Sequence, residues 1–260
     1  MRLSGAIEQL VGLPRPLLIA LDVDGTLAPI APDPAAARVP LATRVLLRRL
    51  IGTRGVRVAL VTGRDATSLR RILPLPGAWR ALEHGRRIVA PGEVAPRRGL
   101  ASADRERLDA FATWARRVAV PRGARLEEKP GARAVHVREL ASRDRRKAER
   151  VLVAARRQAR HLGLHPREGR AVIEAEIEPG DKGTALLAIR RATRARSVLY
   201  AGDDVTDTPA LRQAVALGGL GVFVRSAERP RGPRGTSLSL EGPEGVRRLL
   251  ERFLARLEGR

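Results

Sequence analysis

The sequence predicts an α/β fold, a parallel-sheet core interrupted by a second, smaller α/β unit. Three observations carry that prediction. First, short apolar runs alternate with amphipathic stretches near both ends of the chain: Leu17–Leu21 and Val56–Val61 early, 197–200 and 220–224 late. Strand, helix, strand and helix in that order require parallel pairing through right-handed crossovers. Second, residues 104–177 change rhythm to helix, two strands, helix, two strands, the pattern of an antiparallel sheet with helices on one face. Third, apolar runs of the core end in polar, glycine-bearing turns, and open parallel sheets build their sites beyond the carboxyl ends of their strands.

Residues 17–21 form a buried strand, five apolar residues ending at Asp22-Val23-Asp24-Gly25-Thr26. Residues 41–50 form a helix with Leu41, Val45, Leu46 and Leu50 along one side; Pro40 suits its first turn, and Gly52 and Gly55 lie beyond its end. After the strand at 56–61, Asp65 caps a helix running through Leu69, Ile72 and Leu73, which Pro74 stops. In the insertion, helices are expected at 104–117 and 142–161, and strands at 125–128, 132–138, near His165 and at 171–177. The second part of the core supplies a helix at 182–193, a strand at 197–200, a helix at 206–215 and a strand at 220–224. A last helix over 243–257 carries Val246, Leu249, Leu250, Phe253, Leu254 and Leu257 as its apolar stripe. The Arg-, Pro- and Gly-rich segment 226–235 is a loop of no assignable role. The expected domains are a core of 1–103 with 178–260, and a cap of 104–177.

Composition narrows the function. The 260 residues are 43% hydrophobic but only 2% aromatic, so Leu, Val, Ile and Ala must build the core. The absence of cysteine excludes disulfides and thiolate metal sites and fits a reducing compartment, so a cytoplasmic location is expected. The first residues carry no long apolar stretch and no secretory leader is expected; the run at 17–21 is far too short to span a bilayer. No membrane partner is expected, and the chain is expected to act as a monomer. A formal net charge of +22 invites a polyanion-binding reading. The arginines, however, are scattered over nearly every segment, with no interleaved aromatics to form a stacking platform, so no specific nucleic-acid partner is expected. Lysine occurs only at 129, 147 and 182. A compact ammonium kept in so arginine-rich a chain marks positions where a guanidinium will not serve.

The chemistry gathers at the strand ends. Asp22 and Asp24 follow the first strand, one residue apart, with Gly25 allowing the tight bend. A lone D-x-D-G is also a common Asx-turn. Thr62 and Gly63 put a hydroxyl and free backbone N–H groups at the end of the second strand, although T-G alone is usually only a turn. Lys182 opens a helix, so its ammonium and the helix N-terminus can both face an anion. Asp203, Asp204 and Asp207 follow the strand at 197–200, and N-capping accounts for one of the three at most. Two carboxylates about 4 Å apart repel by ~4 kcal/mol at an effective dielectric of 20. A bound cation is the simplest remedy, and an all-oxygen ligand set beside a phosphate favours Mg²⁺ over zinc.

These motifs, DxDGT, a Thr after the second strand, a Lys opening a helix and GDxxxD, resemble those of the haloacid dehalogenase superfamily of phosphotransferases in order and context. The resemblance implies a Rossmann-like parallel-sheet core with an inserted α/β cap. It implies that Asp22 attacks phosphorus to form an aspartyl-phosphate, while Asp24 protonates the leaving alcohol and then activates water. It also implies that Asp22, the Asp24 backbone carbonyl and Asp203 hold Mg²⁺, with Asp204 and Asp207 behind them. Thr62 and Lys182 would then bind phosphoryl oxygens.

The phrases LDVDGTLAPI, LEEKPGARAVHVR, GRAVIEAEIEPGDKG and GDDVTD look like the trehalose-6-phosphate phosphatase family, and that similarity extends over nearly the whole chain. It implies hydrolysis of trehalose 6-phosphate, with Arg64, Glu127, Lys129, Arg138, Arg170 and Glu174 binding substrate. His136 falls in the same pattern but is expected to pack against the cap helices. Arg86-Arg87 stand where an acidic residue usually follows the His84-Gly85 turn, and Thr208 stands where the family often has Glu. Both departures bear on substrate identity. The alternatives are a phosphatase for sucrose 6-phosphate or a glycosyl-glycerate phosphate and, from a different class, a polyanion-binding protein.

Overall fold

The apolar runs become strands and the amphipathic stretches become helices, in a computed structural model that describes residues 1–31, 33–94, 100–227 and 229–259. The chain divides into two units, Met1–Ala95 with Gly180–Arg260, and Pro96–Pro179. The first part of the core holds α1 (Leu3–Gly12), β1 (Leu17–Leu21), α2 (Leu41–Gly52), β2 (Val56–Val61), α3 (Ala66–Ile72), β3 (Trp79–Leu82) and β4 (Arg87–Val89). The inserted unit holds α4 (Ser102–Trp114), β5 (Arg125–Lys129), β6 (Ala132–His136), α5 (Arg138–Arg143), α6 (Arg145–His161), β7 (His165–Gly169) and β8 (Val172–Glu176). The core then resumes with α7 (Lys182–Ala192), β9 (Ser197–Gly202), α8 (Thr208–Ala216), β10 (Leu220–Arg225), β11 (Leu238–Glu241) and α9 (Gly242–Glu258).

The core sheet runs β11-β10-β9-β1-β2-β3-β4 and is parallel except for the β3–β4 edge pair. β1 pairs β2 on one side and β9 on the other, with Leu21 level with Leu60 and Ala201. The chain reverses its winding at β1, and such a switch point opens a crevice at the carboxyl ends of the strands. All five β1 residues are buried, as a strand covered by helices on both faces must be. Leu17, Ile19 and Leu21 pack with side chains of α1, α2 and α9, whereas Leu18 and Ala20 pack with those of α7 and α8.

The inserted unit is a four-stranded antiparallel sheet, β5-β6-β8-β7. One face, with Leu126, Val135, Ile173 and Ala175, joins Phe111 of α4 and Val151 and Ala155 of α6 in a second core. Successive strand residues point to opposite faces, so Glu127, Lys129, Ala134, His136 and Glu174 lie on the other face.

The structure differs from the sequence reading at several boundaries. The helix expected at 142–161 is two helices, because Asp144 leaves the helical region (φ −149°) and its side chain accepts from the Lys147 N–H at 2.8 Å. The strand expected to reach Arg138 ends at His136, and Arg138 instead opens α5. The helix expected from Thr206 begins at Thr208, after a single tight turn over Val205–Asp207. α1, β3, β4 and β11 have no counterpart in the sequence reading. Among the described residues no helix is long and apolar enough to cross a membrane.

Candidate active site

At the carboxyl ends of β1 and β9, four side chains meet in a volume from which water is largely excluded. Lys182, the first residue of α7, sets its Nζ 2.9 Å from Asp22 Oδ1 and 2.7 Å from Asp207 Oδ1. Asp181 caps that helix by accepting the Thr184 N–H at 2.5 Å, which fixes where the ammonium enters. Asp207 takes a second hydrogen bond, from the Tyr200 hydroxyl at 2.6 Å, and its other oxygen accepts the Asp204 N–H at 2.9 Å. Asp203 completes the group, and its buried Oδ1 has no hydrogen-bond partner among the described residues.

Gly25 makes this arrangement possible. Its φ is +81°, and a Cβ there would stand 2.1 Å from Asp203 Oδ2. The β1 turn must therefore be bare at that point for the β9 carboxylate to come in beside it.

Burial dominates the electrostatics. It pushes the Asp22 carboxyl well above its ordinary range, with Lys182 opposing and Asp207 and Asp203 adding to the rise. It pushes Asp203 up to about 7, with Asp207 adding. Burial alone would lower the Lys182 pKa, but Asp207 and Asp22 outweigh it and keep the ammonium charged. Tyr200 is raised by burial and then by the Asp207 charge, so it stays a neutral donor.

Asp22, Asp203 and Asp207 place ligand oxygens within 4.8 Å of one another, a spacing at which two full charges repel by about 3 kcal/mol at a dielectric of 20. With one ammonium among them and one carboxylate oxygen orphaned, the set fits a hard cation bound through oxygen. These residues could hold a metal ion.

The other predicted residues fall in separate places. Asp24 does not point at the Lys182 cluster; Arg64 grips its carboxylate with both edges of the guanidinium, Nε to Oδ2 and Nη2 to Oδ1, each at 2.6 Å. Thr62 is buried at the end of β2, and its Oγ1 accepts the Arg64 N–H at 3.2 Å, leaving its own proton to donate. Asp204 is occupied at the rim, where Arg229 from the loop after β10 lies 2.7 Å from its Oδ1. The backbones of Ser226 and Arg229 bond to each other in both directions, at 3.2 and 3.0 Å, and so fix where that arginine starts.

On the face of the inserted sheet opposite its helices, Lys129 reaches across the small Ala134 to Glu174, with Nζ 2.9 and 3.0 Å from its two oxygens. Glu127 pairs with His136 Nε2 at 2.7 Å. That hydrogen bond, ahead of the opposing burial and the nearby Lys129, holds the Glu127 carboxyl down to about 2. Burial would lower the Lys129 pKa, but Glu174 and Glu127 reverse the direction. His136 thus stands on the face opposite the helices, correcting the expectation that it packs against them. Arg138 is exposed at the start of α5, and Arg170 sits between β7 and β8.

Sequence reasoning missed several groups here. Tyr200 is hidden inside an apolar strand and gave no signal. Ser68, Arg229 and the Arg167–Glu176 pair, 3.1 Å apart, look like ordinary surface residues in the sequence. The Arg86-Arg87 departure has a local explanation, because Glu83, just before the turn, lies 3.7 Å from Arg86 and 3.2 Å from Arg87.

Known proteins resemble this chain in sequence and in fold. The profile of the family described as trehalose-phosphatase matches residues 20–244. A trehalose-phosphate phosphatase of Mycobacterium avium is 32% identical over 266 residues, covering 98% of this chain and 66% of that protein. An uncharacterized glycosyl hydrolase of Mycobacterium tuberculosis is 32% identical over 256 residues, covering 92% of this chain but 18% of that protein. The chain therefore spans less than two thirds of the length of either relative. Among solved structures, the C-terminal domain of a C. albicans trehalose-6-phosphate phosphatase superposes with a TM-score of 0.78 at 20% identity, covering 98% of this chain and 97% of that one. At that identity the likeness speaks for the fold alone.

Proposed function

The chain belongs to the trehalose-phosphatase family, and on that premise we propose that it hydrolyses trehalose 6-phosphate to trehalose and inorganic phosphate with Mg²⁺ as cofactor. The observation that carries the proposal is Asp22, held 2.9 Å from a buried ammonium and beside a carboxylate with an orphaned oxygen, at the switch point of the sheet. A nucleophilic carboxylate needs a fixed direction and a partner that neutralises the incoming phosphate, and Lys182 supplies both.

Asp22 attacks phosphorus through one oxygen, the bond to the sugar oxygen breaks, and Asp24 passes its proton to that oxygen. Water then attacks the aspartyl-phosphate, Asp24 takes its proton, and the bond to Asp22 breaks to release phosphate. Lys182 and the Thr62 hydroxyl bind phosphoryl oxygens during both steps. Asp207, fixed by Tyr200 and the Asp204 N–H, holds Lys182 in place. Asp22, Asp203 and the Asp24 carbonyl would hold Mg²⁺, which supplies charge neutralisation for the phosphoryl group when bound. Asp204, spent on Arg229, acts through the backbone of this loop. Glu127, Lys129 and Glu174 supply donors and acceptors of the kind that distinguish sugars by their hydroxyls.

The test is phosphate release from a panel: trehalose 6-phosphate, sucrose 6-phosphate, a glycosyl-glycerate phosphate and glucose 6-phosphate. The expected result is a kcat/KM at least about tenfold higher for the first, the low end of what differences in pocket contacts supply, with Asp22→Asn folded and inactive on all four. Equal rates across the panel would overturn the substrate, and turnover by Asp22→Asn would overturn the mechanism.

A further inference from the structure

Arg64 is expected from the family resemblance to bind substrate, yet its guanidinium is committed elsewhere. Two of its donors form a parallel fork on Asp24, each 2.6 Å long, and Nη1 donates to Ser68 Oγ on α3 at 2.8 Å. The backbone is pinned as well: the Arg64 N–H donates to Thr62 Oγ1 at 3.2 Å, and the Arg64 carbonyl accepts the Glu83 N–H at 3.0 Å. The arginine side chain is 8% exposed, whereas the Asp24 side chain it grips is 39% exposed. The partner that can reach a substrate is the carboxylate.

We propose that Arg64, braced by Ser68, is the positioning residue for Asp24 and makes no contact with the substrate. The proposal rests on the phosphatase reading above. A fork between guanidinium and carboxylate fixes the plane and direction of the carboxylate, which a single hydrogen bond does not. A carboxylate offers about four lone-pair sites. The fork uses two and leaves Asp24 others with which to meet the leaving oxygen and the hydrolytic water. Ser68, one turn into α3, fixes the third side of the guanidinium, so the aim of Asp24 is set by a helix rather than by the β1 turn that carries it.

The experiment compares trehalose 6-phosphate, whose alkoxide must be protonated to leave, with p-nitrophenyl phosphate, whose phenolate leaves unaided. The variants are Arg64→Met, Arg64→Lys and Ser68→Ala. If Arg64 positions Asp24, Arg64→Met loses between about 10- and 100-fold in kcat on the sugar phosphate, less than the roughly 100- to 10,000-fold that acid–base catalysis contributes because Asp24 itself remains, with KM little changed. On p-nitrophenyl phosphate it gives a pre-steady-state burst of about one nitrophenolate per site followed by slow turnover, because aspartyl-phosphate still forms but is hydrolysed slowly. Arg64→Lys keeps the charge and loses the fork, and shows the same burst. Ser68→Ala shifts both readouts the same way by a few-fold.

A rise in KM for both substrates with kcat unchanged would mean that Arg64 binds substrate, and would overturn the proposal. So would full activity of Arg64→Lys, or wild-type rates without a burst in Arg64→Met. If Arg64→Met fails to fold, Arg64→Lys and Ser68→Ala decide. Failure of the wild type to hydrolyse trehalose 6-phosphate would refute the substrate assignment instead, and the burst with p-nitrophenyl phosphate would still test Arg64.

Discussion

Asp203, like Asp22, is a carboxyl held out of its ordinary range: burial, with the charge of Asp207 beside it, lifts it to about 7. Without a metal, the folded protein therefore keeps a proton on the Asp22–Asp203 pair that the unfolded chain releases above its ordinary value of 3.8. The sign follows. Below pH 3.8 both states are protonated and Asp203 has no effect; from there to about 7 rising pH destabilises the fold; above 7 the full penalty applies. Asp203→Asn removes the share of that penalty that Asp203 carries, while burial of Asp22 keeps its own. In a chelator, the melting temperature of the variant should gain on that of the wild type between pH 4 and 7 and hold that lead above 7, a difference on the order of 1–3 kcal/mol. Adding Mg²⁺ should stabilise the wild type more at pH 8 than at pH 6, since the ion competes with the proton, and should barely affect the variant. A pH-independent difference between the two proteins would contradict the burial argument.

The turn from β1 into the site depends on one missing side chain. Gly25→Ala meets two penalties: a φ of +81° and a Cβ 2.1 Å from the Asp203 carboxylate. Gly92, with φ +78° and nothing within 4 Å of its would-be Cβ, isolates the first. Each variant should lose about 1–2 kcal/mol to left-handed strain, or several degrees in melting temperature for a chain of this size. Only Gly25→Ala should also lose Mg²⁺ binding by calorimetry and activity by phosphate release; a fully active Gly25→Ala would show that Asp203 can retreat without cost. The sequence displayed this element openly, because D-x-D-G-T after an apolar run has few other uses. It displayed β1 as an unbroken apolar run, and β2, β9 and β10 as runs that are mostly apolar. β11 was invisible: only four residues long, half of them exposed, it takes its strand form from pairing with β10. α1 has its buried residues at Ala6, Ile7, Leu10 and Val11, a helical spacing that was there to be read. Arg64 shows the limit of motif reading, since adjacency to Thr62 says nothing of a partner 40 positions away.

At the scale of the whole molecule, the charge of +22 belongs to no single element. Arginines lie on helices, strands and loops alike, and many are tied internally, as in Arg49–Glu258, Arg133–Asp109, Arg156–Glu168 and Arg256–Glu8. A nucleic-acid reader for single strands needs exposed rings, yet every aromatic residue is committed to packing. Phe111, Tyr200, Phe223 and Phe253 are buried, and Trp79 and Trp114 lie against the two cores. The net charge therefore acts as a diffuse field, drawing any anion toward the surface without selecting one. Two consequences can be measured together. The kcat/KM for an anionic sugar phosphate should fall several-fold between about 20 and 300 mM NaCl while kcat stays constant, because screening shortens the reach of the field from roughly 20 Å to under 10 Å. Single- and double-stranded DNA should bind alike, without sequence preference, and the complex should be lost at about 150 mM salt, as expected of contacts made only with phosphates. Tight, sequence-dependent binding that survives at that salt would show that the arginines form a recognition surface, and would return the polyanion-binding reading to first place.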